Sequence, residues 1–202
     1  MNALKILVLA TAIAFAACGD DGTTAGDTTT TSSGDDTTTT TGDTTTTTVS
    51  GIDPMEGADT DPKTGSSLGF GQLTDVAIGR HEGFDRVVFT FRDHVPGWTV
   101  QYVDPPIIED ASGNELEIDG DAFLAIRMEP ASGFDMDAGV ESYTGPDELR
   151  GTDAGASVIQ EVHRTGDFEA VLNWVIGLSD QVDFRVDTLT SPARLVIDVR
   201  NH

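Results

Sequence analysis

Carboxylates are the most abundant side chains in this sequence that could do chemistry. The chain has 35 Asp and Glu residues against 11 Lys and Arg residues, a formal net charge of −24. Carboxylate oxygens suit Ca²⁺, and the candidate ligands fall in two loop regions: Asp110, Asp119 and Asp121, then Asp135 and Asp137. Residues 110–114 lack the order of acids and glycine of an EF-hand loop. We therefore expect a solvated acidic surface, with no bound metal and no cofactor.

Two common catalytic patterns are missing from the sequence. The four histidines make no HExxH or comparable ligand pair, and no Ser-x-x-Lys sequence is present. Paired carboxylates are frequent, but acids at this density pair by chance. We therefore expect a protein that is not an enzyme, and a small hydrolase is the least favoured interpretation.

Two arginines, Arg86 and Arg194, each begin an alternating apolar stretch. A planar guanidinium could recognise a carboxylate or a muramyl peptide through paired hydrogen bonds. The alternative, which we favour, is an ion pair across a sheet with an acid such as Asp198 or Asp75. Both arginines stay candidate ligand-binding residues.

Three aromatic residues, Trp98, Tyr102 and Tyr143, could stack on sugar rings. Trp98 follows Pro96-Gly97 at a loop-to-strand junction, and Tyr143 lies in a long loop, so these two are the better candidates for exposure. Trp174 lies instead on an apolar stripe and is expected in the core.

The only cysteine, Cys18, ends an N-terminal targeting segment. Residues 6–15 are apolar, a run too short to span a bilayer but typical of a signal peptide. Together with Ala16-Ala17, Cys18 resembles the bacterial lipobox, although Phe15 stands where that motif usually has Leu. The resemblance implies a signal peptide over 1–17 and an acylated Cys18 that anchors an exported protein to the outer face of a bacterial membrane. The alternative is an ordinary secretory signal.

A low-complexity tether is predicted over residues 18–67. Sixteen threonines lie between Thr23 and Thr48, and no aromatic residue occurs between Cys18 and Phe70. So little apolar surface cannot offset the entropy of ordering the chain, which predicts a disordered Thr/Asp/Gly-rich spacer.

Residues 68–202 are predicted to form one domain of alternating, period-two strands. Turn residues separate the strands, at positions that include 81–83, 165–167 and 191–192. The pattern predicts an all-β fold, an antiparallel β-sandwich of about seven to eight short strands. The strands expected are 72–78, 85–91, 98–103, 122–128, 157–164, 168–176, 182–189 and 194–199.

A faint internal repeat aligns residues 85–91 with 193–199. Each copy is an arginine within an alternating strand that follows an earlier strand across a short turn. Two related β-hairpins predict a sandwich with approximate two-fold symmetry.

The strands 184–189 and 192–199, together with 75–78 and 83–89, resemble those of AMIN domains. The whole of 70–200 is most similar to the AMIN-like domain of bacterial lipoproteins, which also follows a lipobox and a spacer. The resemblance implies a β-sandwich that localises proteins in the cell envelope, in some cases by binding peptidoglycan.

These observations predict a membrane-anchored envelope lipoprotein, facing the cell wall or periplasm, that binds peptidoglycan or another glycan. The alternative is a scaffolding lipoprotein whose partner is another envelope protein. Nucleic acid is excluded as a partner, because its recognition needs a basic face and this chain carries the opposite charge.

Overall fold

The computed structural model describes residues 53–202, and most of them lie in strands. The predicted signal peptide, Cys18 and the tether up to residue 52 lie outside the described residues. The elements are β1 (Lys63–Gly65), β2 (Gly71–His81), β3 (Phe84–Phe91), β4 (Gly97–Val103), β5 (Ile107–Ile108), β6 (Glu115–Leu116), β7 (Ala122–Glu129), β8 (Ala131–Ser132), β9 (Phe134–Asp135), β10 (Val140–Glu141), β11 (Glu148–Arg150), a 3₁₀ helix (Gly151–Ala154), β12 (Ile159–Phe168), β13 (Val171–Leu178), β14 (Phe184–Thr190) and β15 (Ala193–Arg200).

Two large sheets form the domain. One has six antiparallel strands in the order β1-β4-β7-β13-β12-β11. The other has five, in the order β14-β15-β3-β2-β8, and is antiparallel except for the short β2–β8 pair. Eight strands have seven or more residues, so the predicted all-β sandwich of seven to eight strands is confirmed. In the described part, no helix is long and apolar enough to cross a membrane.

The core lies between the two sheets, because the alternating residues of both turn their apolar side chains inward. Trp174 on β13 is fully buried, as predicted, and its ring meets Phe89 of β3 edge-on with 5.6 Å between centroids. Both sheets contribute to one buried cluster, which includes Val87, Phe89, Phe91, Leu195, Ile197, Val199, Val100, Leu124, Ile126, Leu172, Trp174 and Ile176.

The internal repeat corresponds to two hairpins, β2–β3 and β14–β15, joined side by side. β3 and β15 are neighbours, and Arg86 lies opposite Asp198 while Arg194 lies opposite Thr90. A two-fold relation between the hairpins exchanges these two pairs. Only the first pair combines a base with an acid, so the two hairpins share a backbone arrangement but only one of the two equivalent positions holds an ion pair.

The hairpin between β12 and β13 differs from the prediction. A strand was expected over 168–176 after a turn at 165–167, but the turn lies at Glu169 and Ala170, whose φ angles are +50° and +62°. Thr165 is the unpaired residue of a bulge within β12, and a Cβ on the neighbouring Gly166 would overlap the carboxylate of Asp110. Glycine at 166 therefore lets the Asp110 side chain approach a strand, and it does not form the turn.

The folded domain begins earlier than predicted. Residues 53–67 were assigned to the tether, yet Met55 is fully buried and β1 pairs with β4. Asp53 also pairs with Arg200 of the last strand. One apolar side chain among polar neighbours gave too weak a pattern to predict this packing from the sequence.

Asp85 joins the start of β3 to the segment that precedes β12. Its carboxylate is fully buried and accepts the backbone N–H groups of Ser157 and Val158, both at 2.7 Å. Its other oxygen accepts the Asn201 amide at 2.8 Å. Buried carboxylates need several donors, and these contacts close one end of the sandwich.

Candidate functional site

A cleft with a volume of about 800 Å³ lies beside the β12–β13 hairpin of the described domain. One wall comes from residues 164–170 of that hairpin. The opposite wall comes from the loop region 132–147, which contains the short strands β9 and β10. The cleft therefore exists only because a strand end and a distant loop meet.

Four large apolar side chains line this cleft and remain exposed to solvent. Phe168 is 69% exposed and Met136 is 79% exposed, while Phe70 and Phe134 are about two-fifths exposed. Soluble domains bury most side chains of this size. A group of them around one concavity is typical of a ligand-binding or interaction surface. We call these four residues the Phe168 patch.

Charged groups surround the Phe168 patch, and most are acidic. Arg164 is the one basic residue of the lining, which also includes Glu109, Glu141, Asp147, Asp167 and Glu169. Arg164 donates to Asp147 at 2.5 Å. Asp167 accepts the N–H of Gly133 at 2.8 Å, which ties the loop wall to the strand wall. The cleft is therefore apolar at its surface, with carboxylate acceptors and one guanidinium.

Tyr143 stabilises the loop wall of the cleft from inside. Its ring is 2% exposed and packs edge-on against Trp174, and its hydroxyl donates to the carbonyl of Pro146 at 2.6 Å. Burial raises the pKa of Tyr143 to about 12. The prediction of Tyr143 as an exposed, sugar-stacking residue is therefore wrong, since the long loop folds back and uses this ring as a core residue.

The side chains of Tyr102 and Trp98 are also engaged in contacts within the domain, so they do not form an exposed aromatic surface. The Tyr102 hydroxyl donates to the carbonyl of Val182 at 2.7 Å and accepts its N–H at 3.0 Å. Burial raises the pKa of Tyr102. Trp98 is partly buried, packs against the core, and lines a smaller groove beside Gly65 and Leu189. Trp98, Tyr102 and Tyr143 therefore form no common sugar-binding face.

Arg86 makes the predicted ion pair. Its guanidinium contacts both oxygens of Asp198, at 2.6 and 2.9 Å, and Arg185 donates to the same carboxylate. Asp198 is only 1% exposed, so this contact is structural. No ion pair to Arg194 is formed within residues 53–202. Neither arginine lines the Phe168 patch.

The five candidate calcium ligands make other contacts or are exposed to solvent. Asp119 pairs with Arg150, and Asp110 accepts the Asn173 amide at 2.5 Å. Asp135 contacts Arg92 at 2.6 Å, which holds the pKa of that carboxyl below its usual range. Asp121 and Asp137 are exposed. The five do not assemble with the spacing of a metal site in the described part of the chain.

The pairing of β11 with β12 brings Glu148, Glu161 and His163 together, a group that the sequence did not suggest. Arg150 already contacts Glu161 at 3.2 Å and Glu148 at 2.5 Å. Glu161 also accepts the N–H of Asp119. These carboxylates are therefore balanced by protein donors, and the group is a charge network.

Residues 65–69 read Gly-Ser-Ser-Leu-Gly and fit the Gly-x-Ser-x-Gly pattern of a nucleophile elbow. That motif requires a sharp strand-to-helix turn, whereas Ser67 lies between two strands. Its hydroxyl accepts the N–H of Gly69 at 3.2 Å. Among residues 53–202 no histidine bonds to it.

The four residues of the Phe168 patch were not predicted as site residues. Phe134 and Met136 lie in a Gly- and Asp-rich loop, where large apolar side chains are unusual. This feature of the sequence could have indicated them as site residues. Phe168 was assigned to the core face of a strand. The position of the hairpin turn decided its exposure.

Comparison with known proteins gives one result. The family model described as the AMIN-like domain matches residues 71–201. No curated protein and no solved structure matches the chain significantly. The match begins with β2 and ends after β15, so it includes most of both sheets and the entire wall of the cleft from residue 132 to 170.

Proposed function

Because this chain belongs to the AMIN-like domain family, we propose that it is a non-catalytic lipoprotein whose folded domain binds peptidoglycan or a related envelope glycan. Domains of this family are associated with the cell envelope. The binding surface in this proposal is the cleft that the Phe168 patch lines. Acylation of Cys18 would hold the protein at the outer face of the membrane, within reach of the wall.

The exposure of Phe168 is the observation that carries the proposal. Its ring stands free at the end of β12 over a cleft large enough for several sugar rings. Aromatic faces bind the apolar C–H faces of sugars, and this ring is already exposed at the cleft before a ligand arrives.

The polar groups of the cleft fit the same ligand. Carboxylates such as Asp167 and Glu109 accept hydrogen bonds from sugar hydroxyls and from the ammonium group of a stem peptide. Arg164 can donate to a ligand carboxylate or amide carbonyl. A few polar groups around an apolar surface are what orients a ligand in a pocket.

A protein partner is the second candidate, and Met136 favours it. This side chain is 79% exposed beside two phenylalanines, and methionine adapts to the irregular surface of another protein. In this case the chain acts as an envelope scaffold, and the same cleft receives an apolar segment of the partner.

Co-sedimentation of the full chain, kept in detergent, with purified peptidoglycan sacculi tests the proposal. We expect the wild-type chain to sediment at low and at moderate salt, and Phe168→Ala to bind about tenfold more weakly because the stacking surface is lost. Ile108→Ala is the matched control, since Ile108 is similarly apolar and 43% exposed but lies outside the cleft.

The possible outcomes separate the two candidates. Equal binding by wild type and Phe168→Ala contradicts the cleft as the site. Failure of the wild type to sediment at either salt rejects the glycan ligand, and cross-linking of the membrane-anchored chain then tests for a protein neighbour that depends on Phe168.

A further inference from the structure

Strand β14 forms one edge of the five-stranded sheet. It pairs with β15 over its seven residues, and the sheet order places no other strand beside it within residues 53–202. The opposite edge of the sheet is the two-residue strand β8. β14 is thus the long edge strand of this sheet, and edge strands present backbone donors and acceptors that can pair with another chain.

The hydrogen bonds of Phe184 define which groups of β14 point away from the sheet. Its N–H and C=O both bond to Asp59, at 2.9 and 3.3 Å. In an antiparallel pair the direction of these groups alternates along the strand. The N–H and C=O groups of Val186, Thr188 and Thr190 therefore point outward in the same row.

Within residues 53–202, the chain leaves this edge after the first pair. Residues before Asp59 form a turn with Gly57 at φ +77°, and residues after it continue to β1, which pairs with β4 in the other sheet. The Asp59–Phe184 bridge is isolated. The Asp59–Phe184 pair thus occupies the start of the edge. The outward-facing residues Val186, Thr188 and Thr190 extend the unpaired part of the edge over about 14 Å, at the rise of a β-strand.

A groove of about 400 Å³ runs beside the second half of the edge. Thr188, Leu189 and Thr190 line one side, and Trp98 and Gly65 line the other. The indole lies directly against Gly65, where a Cβ would overlap it. Leu189 is 40% exposed, so the groove offers an apolar site next to the open row of backbone groups.

We propose that the β14 edge binds an extended segment of a partner polypeptide, which adds a strand to the sheet and places an apolar side chain in the groove at Trp98. A polypeptide is the occupant because its N–H and C=O groups repeat at the spacing of the outward groups of β14, a match that glycans lack. Arg185 and Asp187 contact each other at 3.7 Å on the outer face. Arg185 also contacts Asp198 at 2.9 Å, and the groove lining includes Asp93, which favours a segment without acidic side chains.

Selection of short random peptides against the full chain supplies the probe, and each selected peptide is then titrated by fluorescence polarisation. Thr188→Pro removes one outward N–H without removing a bond to β15, because prolines are tolerated on edge strands at such positions. We expect about tenfold weaker binding to Thr188→Pro. Thr188→Ala is the matched control, since it keeps the N–H, and it should bind like the wild type.

A second measurement does not depend on the folding of the proline variant. A selected peptide that is N-methylated at alternate residues should lose binding to the wild-type chain in one methylation register and keep it in the other. Equal binding of both registers, equal effects of Thr188→Pro and Thr188→Ala, or the absence of any selected peptide would overturn the proposal. Sedimentation with sacculi should be unchanged in both Thr188 variants, so the outcome is separate from that for the Phe168 cleft.

Discussion

At the scale of single residues, buried polar side chains determine how the loops are attached to the sandwich. Asp85 accepts the backbone N–H groups of Ser157 and Val158 before β12 and that of Ile159 at its start, and Asp198 accepts from two arginines on the outer face of the sheet. Tyr143 attaches the long loop to the core through its ring and hydroxyl. Each of these side chains stabilises a contact between segments distant in sequence.

The two tyrosines lead to a prediction about alkaline pH. They are the only tyrosines of the chain, and burial raises the pKa of both, that of Tyr143 to about 12. Because the folded pKa lies above the ordinary value of 10.0, the stabilisation is present below pH 10 and is lost as the pH rises through 12. We expect less tyrosinate absorbance near pH 10 from the folded chain than from the unfolded chain.

Absorbance of tyrosinate, recorded together with far-ultraviolet circular dichroism along a pH titration, checks this prediction. The same chain unfolded in urea is the control, and both tyrosines should then ionise near their ordinary pKa. A full ionisation step near pH 10 with an intact dichroism spectrum would show that the rings are accessible and would contradict their burial.

At the scale of elements, each hairpin forms between strands that are adjacent in the sequence. The edges of the domain instead involve segments that are distant in the sequence. β2–β3 and β14–β15 follow from alternation and turn residues, so the sequence predicts them. The segment 53–67 has no such pattern; it pairs with β4 through β1 and contacts β14 and β15, which lie more than a hundred residues away. Its contribution to stability is therefore testable through its one buried apolar residue.

Met55→Ala should lower the free energy of unfolding by about 3 kcal/mol, because a fully buried methionine is replaced by a cavity. Met136→Ala is the matched control, since Met136 is 79% exposed, and it should change stability by less than about 0.5 kcal/mol. Denaturant unfolding of the two variants and the wild type measures both values. Equal stability of both variants would place residues 53–67 in the tether, as the sequence alone suggested.

At the scale of the whole molecule, charge is the dominant property. The net charge of −24 remains after every Lys and Arg has been counted against a carboxylate, so the chain carries a large self-repulsion. The acidic cleft is one part of this field, and it favours ligands with a cationic group. It also opposes direct adhesion of the domain to anionic lipids.

Raising the NaCl concentration at constant neutral pH should raise the melting temperature of the full chain by a few degrees. Salt screens the repulsion among exposed carboxylates, and at moderate concentrations the screening length falls to about 10 Å. Differential scanning calorimetry at several salt concentrations measures the shift. A fall in melting temperature would mean that exposed ion pairs such as Arg200–Asp53 outweigh the repulsion, contrary to the prediction.

Local patterns in the sequence determined the class of fold. Period-two alternation with turn residues predicts the strands, and a repeated hairpin predicts the neighbouring pairs, because each of these features depends on residues close together in the chain. The ion pair of Arg86 with Asp198 and the burial of Trp174 followed from the same alternation. The resemblance to AMIN-like domains rested on those strands as well.

Only the tertiary structure decided which side chains face solvent. A turn at Glu169 and Ala170, and not at Thr165–Asp167, exposes Phe168, while a loop that folds back buries Tyr143. The cleft, the open edge of β14 and the packing of Met55 all arise where segments distant in sequence meet. Exposure and cavities depend on long-range packing, and alternation along a single strand carries no information about what covers it.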